Sequence, residues 1–119
     1  MTPHFSDAEL TCKCGCGMLP QFDFMNRVEE LRHFYGKPMT VTSAARCPNY
    51  NSKVSSTGTT GPHTTGRAID IAVRGQDAFE LVRLAIARGF TGIGIQQKGA
   101  SRFIHIDDLK ENRPTIWSY

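Results

Sequence analysis

The sequence predicts an α+β fold. Two segments repeat their apolar residues at helical spacing, four short segments read as strands, and no internal repeat or low-complexity tract joins them into an array. A chain of 119 residues makes one domain, long enough to bury roughly two-thirds of its unfolded surface.

The first element is signalled by Ser6 followed by Glu9, the S-x-x-E pattern of a capping box, which starts a short helical turn. Phe24, Val28, Leu31 and Tyr35 then recur at helical spacing and the pattern stops at Gly36 ahead of Pro38, so an amphipathic helix ends there. "MTVTS", Met39 to Ser43, alternates and is rich in β-formers, which makes it a strand, and "AARCPNYN" after it reads as a turn and a short helix. "SSTGTTG", Ser55 to Gly61, is small and polar, a loop with the freedom to act as a flap. In "AIDIAV", Ile69, Ile71 and Val73 fall on one face and Ala68, Asp70 and Ala72 on the other, so parity turns Asp70 away from the apolar side. A second helix after Gly75 takes Phe79, Val82, Ala85 and Ile86 as its apolar stripe and stops at Gly89. "GIGIQ" and "FIHID" follow as two strands of a hairpin around the turn-like "QKGAS". In the second strand Ile104 and Ile106 share one face, and Phe103, His105 and Asp107 share the other.

Composition narrows the class of partner. With 39% hydrophobic and 21% charged residues the chain reads as a soluble globular one, and no apolar run approaches the ~20 residues of a membrane span, so membrane insertion is not expected. The start, "MTPHFSDAEL", lacks a basic segment followed by an apolar core, so no standard signal peptide is expected. Synthesis in the cytoplasm and delivery by another factor follow from that reading. Fourteen basic against eleven acidic residues give a net charge of +3 without a basic block, which argues against nucleic acid and suits a mild attraction to an anionic surface such as a bacterial wall. A monomer is expected.

The four cysteines are unevenly placed: Cys12, Cys14 and Cys16 in "CKCGCG", and Cys47 alone in "ARCPNY". Side chains two apart share a face of an extended chain, but the spacing is not the C-x-x-C of common zinc knuckles. Plain buried thiols are the preferred reading, with a four-cysteine structural metal site and a disulfide through Cys47 as the alternatives.

His63 and Asp70 flank a glycine in "GPHTTGRAIDIAV", and His105 lies on a later strand. Two imidazoles and a carboxylate make a normal three-ligand set for catalytic zinc, with a fourth position left for water. Such a set would activate that water at neutral pH and points to a hydrolase. Spacing alone leaves a surface histidine and a strand carboxylate as an equal reading.

These segments also carry a resemblance. "PHTTGRAIDI" resembles the S-x-H-x-x-G-x-A-x-D signature of the zinc D-alanyl-D-alanine carboxypeptidases, and "FIHID" resembles their later H-x-D strand motif. The wider group is the LAS metallopeptidases, which include L-alanyl-D-glutamate endopeptidases of phages and the hedgehog signalling domain. "VTSAARCPNYN" is similar to the T-S-x-x-R-C-P-x-x-N segment of small phage and bacterial members, "FSDAELTCKCGCG" to their N-terminal segment, and "RPTIWSY" to their closing W-x-Y segment.

The resemblance implies a single zinc peptidase domain over residues 1–119, in which helices pack on one face of a short antiparallel sheet and a metal cleft lies on the other. It implies one catalytic Zn2+ held by His63, Asp70 and His105, with Arg46 binding and polarising the substrate near the scissile bond. Arginine's fork of donors suits a carbonyl or a terminal carboxylate; a surface salt bridge is the alternative use. Gly66 would allow close packing between the first two ligands, or serve as a turn glycine. The implied partner is bacterial peptidoglycan, and the implied function is hydrolysis of a stem-peptide bond of the D-Ala-D-Ala or L-Ala-D-Glu type by a wall-lytic enzyme of the phage endolysin kind.

Two positions depart from the pattern. Gly61 stands where the signature has serine, removing a hydroxyl that could support the site. Arg102 stands where many relatives carry an acidic general base, so Asp107, on the same strand face as His105, is assigned as base or proton shuttle, with orientation of a ligand histidine as its other role and Asp108 in reserve. His4 and His33 are read as solvated or structural. Trp117 and Tyr119 either wall the cleft or pin the terminus to the core. Two rival functions remain: a non-catalytic zinc-containing binding module of the same fold, and a structural-zinc or redox protein built on the cysteines.

Overall fold

The computed structural model describes residues 1–119. In chain order it contains α1 (Asp7–Leu10), α2 (Phe22–Tyr35), β1 (Thr40–Ser43), α3 (Pro48–Val54), a 3-10 turn (Pro62–Thr65), β2 (Ala68–Ala72), α4 (Gly75–Ala87), β3 (Gly92–Gln96), β4 (Phe103–Asp107) and β5 (Thr115–Ser118). The capping box forms reciprocally: the Glu9 N–H donates to Ser6 Oγ at 3.3 Å and the Ser6 N–H donates to the Glu9 carboxylate at 3.2 Å. Helix α2 buries Phe24, Met25, Val28, Leu31 and Tyr35, the stripe its periodicity predicts, and ends at Gly36.

Helix α4 is rotated relative to its expected stripe. Ala78, Leu81 and Ala85 are buried, whereas Phe79 is 73% and Ile86 56% exposed. Of the expected stripe, Ala85 is buried and Val82 packs at the edge of the core, while Ala78 and Leu81 turn inward against α2 and β4 in place of Phe79 and Ile86.

The five strands form one sheet in the order β1-β2-β4-β3-β5. The first four pair antiparallel, but β5 runs parallel to β3, so the sheet is mixed where an antiparallel one was expected. The fifth strand is the "RPTIWSY" segment, too short and too close to Pro114 to announce itself by alternation. Ile69, Ile71, Ile93, Ile104 and Ile106 cover one face and join residues of α1, α2 and α4 in a core of 18 buried residues. Burying each isoleucine is worth about 1.5–3 kcal/mol, and a slip of one residue would turn the whole set outward, so the register is strongly set. Helices α2 and α4 take this apolar face, as expected. On the other face Ser43, Asp70, His105, Gly94 and Trp117 are successive partners in a row that crosses all five strands. There α3, the 55–61 loop and the 3-10 turn stand over the sheet and make one side of a cleft. No helix is long and apolar enough to cross a membrane.

Candidate metal centre

Asp70 and His105 are direct cross-strand partners, and the 3-10 turn brings His63 over them. His105 Nδ1 lies 3.0 Å and His63 Nε2 3.2 Å from the same oxygen, Asp70 Oδ1. All three residues are buried, and their ligand atoms lie within 4.8 Å of one another. Gly66 closes the turn with φ 74°, a left-handed conformation that returns the chain from His63 into β2.

The outer nitrogen of each ring has a partner that assigns its proton. His63 Nδ1 donates to the Ala44 carbonyl at 2.7 Å, and His105 Nε2 donates to Asp107 Oδ2 at 2.8 Å. In those tautomers two nitrogen lone pairs converge on a carboxylate oxygen, an arrangement that calls for a cation between them, either a proton or a metal ion. Two imidazoles and a carboxylate fit a zinc-type ion by number and chemistry, with both rings held from behind.

Titration reflects the same crowding. Burial pushes the Asp70 carboxyl up, but the His105 and His63 rings outweigh it and hold the group well below the usual carboxylate range. Burial likewise opposes ionisation of Asp107, yet His105 and Arg113 beside it bring its pKa down to about 2. For His105 burial works against the charged ring, and Asp107 with Asp70 overcomes it, so its pKa is raised.

Asp107 sits behind the cleft and not at its surface. It is 0% exposed, absent from the cleft lining, and occupied by His105 and by Arg113, whose Nε and Nη2 donate to its two oxygens at 3.0 and 2.9 Å. In this structure it therefore lies behind the His105 ring, in the position that suits the second of its expected roles, partner of a ligand histidine. Asp108 does not line the cleft either and is pinned by Arg67 at 2.8 and 2.7 Å and by Arg27 at 2.9 Å. Asp70 is the only acidic residue among those lining the cleft.

Arg46 is at the cleft rather than on open surface. Its Nε donates to Ser43 Oγ at 2.9 Å and Nη1 to Asn51 Oδ1 at 3.2 Å, leaving Nη2 at 3.6 Å from Asp70 Oδ2. The cleft, about 550 Å³, is lined among others by Arg46, Thr57, Phe103, Arg113, Trp117 and Tyr119. Both proposed uses of the terminal aromatics are met, since β5 pins them to β3 and they wall the cleft, Trp117 standing 4.9 Å from the His105 ring. His4 pairs with Glu29 and His33 packs on Phe34, both away from the site.

Gly61 has a local explanation. A Cβ built there would run into the side chain of Thr57, so the space a serine would use is filled by another hydroxyl residue. Asn51, fully buried, holds that residue in place, its Nδ2 donating to Thr57 Oγ1 at 2.9 Å and to the Gly58 carbonyl at 2.5 Å. Asn51 and Arg113 carry much of the site's support and went unassigned in sequence. Asn51 closes the T-S-x-x-R-C-P-x-x-N segment, which was the available signal; Arg113 had none beyond its place in "RPTIWSY".

The cysteines also meet. All four Sγ atoms lie within 4.8 Å of one another, and Cys14 and Cys16 are exposed, which overturns the reading as plain buried thiols.

A two-histidine, one-carboxylate group at the floor of an open cleft, each ring braced by an acceptor, defines the class of candidate metal-dependent hydrolases. The family model described as Peptidase M15 matches residues 3–107, and the chain belongs to that family of zinc peptidases. The match stops at Asp107, so Arg113, Trp117 and Tyr119 lie beyond it. No curated protein matches the chain.

Proposed function

We propose that this chain is a zinc peptidase that hydrolyses a peptide bond in the stem peptide of bacterial peptidoglycan. The observation that carries the reading is the convergence of His63, Asp70 and His105 on one point at the floor of the cleft, beside a partly free guanidinium, in a chain of this family. His63 through Nε2, His105 through Nδ1 and Asp70 through Oδ1 would hold the ion. Zinc bound there supplies Lewis acidity and lowers the pKa of water to about 7.

The protein's own groups divide the remaining work. Arg46, fixed by Ser43 and Asn51, keeps Nη2 available to bind a substrate carbonyl or terminal carboxylate and to stabilise negative charge as it develops. Asp107 keeps the proton of His105 on Nε2 and the lone pair of Nδ1 inward. Phe103, Trp117 and Tyr119 form an aromatic wall that keeps bulk water from one side.

A second reading has its own support: no carboxylate other than Asp70 lines the cleft, so no acid is placed to take a proton. A zinc-containing wall-binding module would look the same. The test is to incubate the zinc-loaded protein and its His105→Ala variant with purified peptidoglycan and identify the products by mass spectrometry. The peptidase reading expects new amine ends from the parent alone, and the fragment names the bond. Sedimentation with the wall and no release favours the module, and equal release by both proteins rules out this site as the source.

A further inference from the structure

We propose that Cys12, Cys14, Cys16 and Cys47 form a second, structural zinc site that ties the N-terminal loop to the segment carrying Arg46. The site is independent of the histidine-aspartate centre and uses no residue of it.

The geometry is that of a sulfur cage. Cys12 and Cys14 Sγ are 3.4 Å apart, Cys14 and Cys47 Sγ 3.5 Å, and all four sulfurs lie within 4.8 Å of one another. Four thiolates around one zinc at a Zn–S distance of about 2.3 Å would stand roughly 3.8 Å apart, so a small adjustment completes the tetrahedron. The chain is shaped for it by a curled loop rather than an extended run. The Cys12 N–H donates to the Met18 carbonyl at 2.9 Å to close the loop, and the Gly15 N–H donates back to the Cys12 carbonyl at 3.3 Å. Backbone donors also face the sulfurs: the Cys47 N–H meets Cys12 Sγ at 3.3 Å, and the Tyr50 N–H, in the first turn of α3, meets Cys47 Sγ at 3.4 Å. Such donors favour sulfur as thiolate, the form that binds metal, and binding would release the thiol protons.

Other uses of the four fit less well. A disulfide can take only one partner for Cys47 and leaves two thiols in the same few ångströms. Hydrophobic packing does not apply to Cys14 and Cys16, which face solvent. The location also gives the metal something to hold. Next to Cys47, the Arg46 N–H donates to the His63 carbonyl at 3.2 Å, and the Ala45 N–H donates to the Leu10 carbonyl at 3.2 Å. Ala44, whose carbonyl accepts from His63, lies in the same short segment. A clamp at Cys47 therefore fixes the backbone from which Arg46 and the brace of His63 both extend.

The test uses the full chain purified under a thiol-free reductant, supplied with Zn2+ and then dialysed against metal-free buffer. Metal per chain is counted by mass spectrometry and its ligands are read by X-ray absorption. A His63→Ala/His105→Ala variant, lacking the other centre, should keep about one zinc per chain with a sulfur shell at about 2.3 Å. Co2+ loaded into the same variant should show thiolate charge-transfer absorption. A Cys14→Ser/Cys16→Ser variant, altered only at exposed positions, should lose the sulfur shell while keeping zinc on nitrogen and oxygen. Four freely titrating thiols with no bound metal in the histidine variant would overturn the proposal. So would a nitrogen and oxygen shell alone in that variant, or an unchanged sulfur shell in the cysteine variant. None of these three results depends on peptidase activity.

Discussion

Asp107 shows how much one side chain's meaning depends on what stands behind it. Alternation along "FIHID" places it on the same face as His105, and that much was legible; its role was not, because Arg113 reaches it from a segment that alternation does not connect to β4. Replacing Asp107 with alanine should lower zinc affinity by about 10–100-fold, measured by competition with a chelating dye, since the His105 ring loses its brace. Acid stability offers a second readout. A carboxyl whose pKa falls from 3.8 to about 2 on folding contributes stability that is present above 3.8 and is lost as the pH drops toward 2. The metal-free protein should lose about 2 kcal/mol from this group across that window in urea titrations, and Asp107→Asn should flatten the dependence. His105 runs the other way. Its raised pKa makes its contribution to the metal-free fold complete below 6.5 and lost as the pH climbs through the folded value, so zinc, competing for the same nitrogen, should bind more tightly as pH rises.

Helix α4 illustrates what periodicity can and cannot reveal. Its existence and limits follow from the pattern, but its rotation does not, because Phe79, Val82 and Ile86 and the neighbouring Ala78, Leu81 and Ala85 are both apolar sets at helical spacing. The observed rotation makes a paired prediction: Leu81→Ala should cost about 2–5 kcal/mol, while Phe79→Ser, on the exposed side, should stay within about 0.5 kcal/mol, both by denaturant unfolding. The expected stripe demands a large cost at Phe79. Strand β3 carries a different constraint. A Cβ on Gly94 would come within 2.7 Å of Trp117 Nε1 and 3.0 Å of His105 Cβ. Gly94→Ala should destabilise by about 1–3 kcal/mol and shift the emission of the single tryptophan as the ring leaves the cleft wall.

For the molecule as a whole, the α+β class, the apolar face and the turn of Asp70 and His105 away from it could be read from alternation, whereas their pairing across β2 and β4 could not. The fifth strand and its parallel pairing could not, because they join residues far apart in sequence through geometry that no local pattern encodes, and the gathering of the four cysteines was one of several readings their spacing left open. Metal binding should be felt globally. With free zinc at about 100 times the dissociation constant of the histidine-aspartate centre, folding gains about 2.7 kcal/mol, roughly 10 °C in melting temperature, and His63→Ala should abolish that share of the shift in calorimetry. The row that runs from Ser43 through Asp70, His105 and Gly94 to Trp117 also limits how the gene can change in length. One codon gained or lost inside β2 or β4 would exchange the isoleucine and ligand faces together, destroying core and centre in a single event. Tolerated insertions should therefore gather in the loops at 55–61 and 97–102, where added residues leave the phase of every strand untouched.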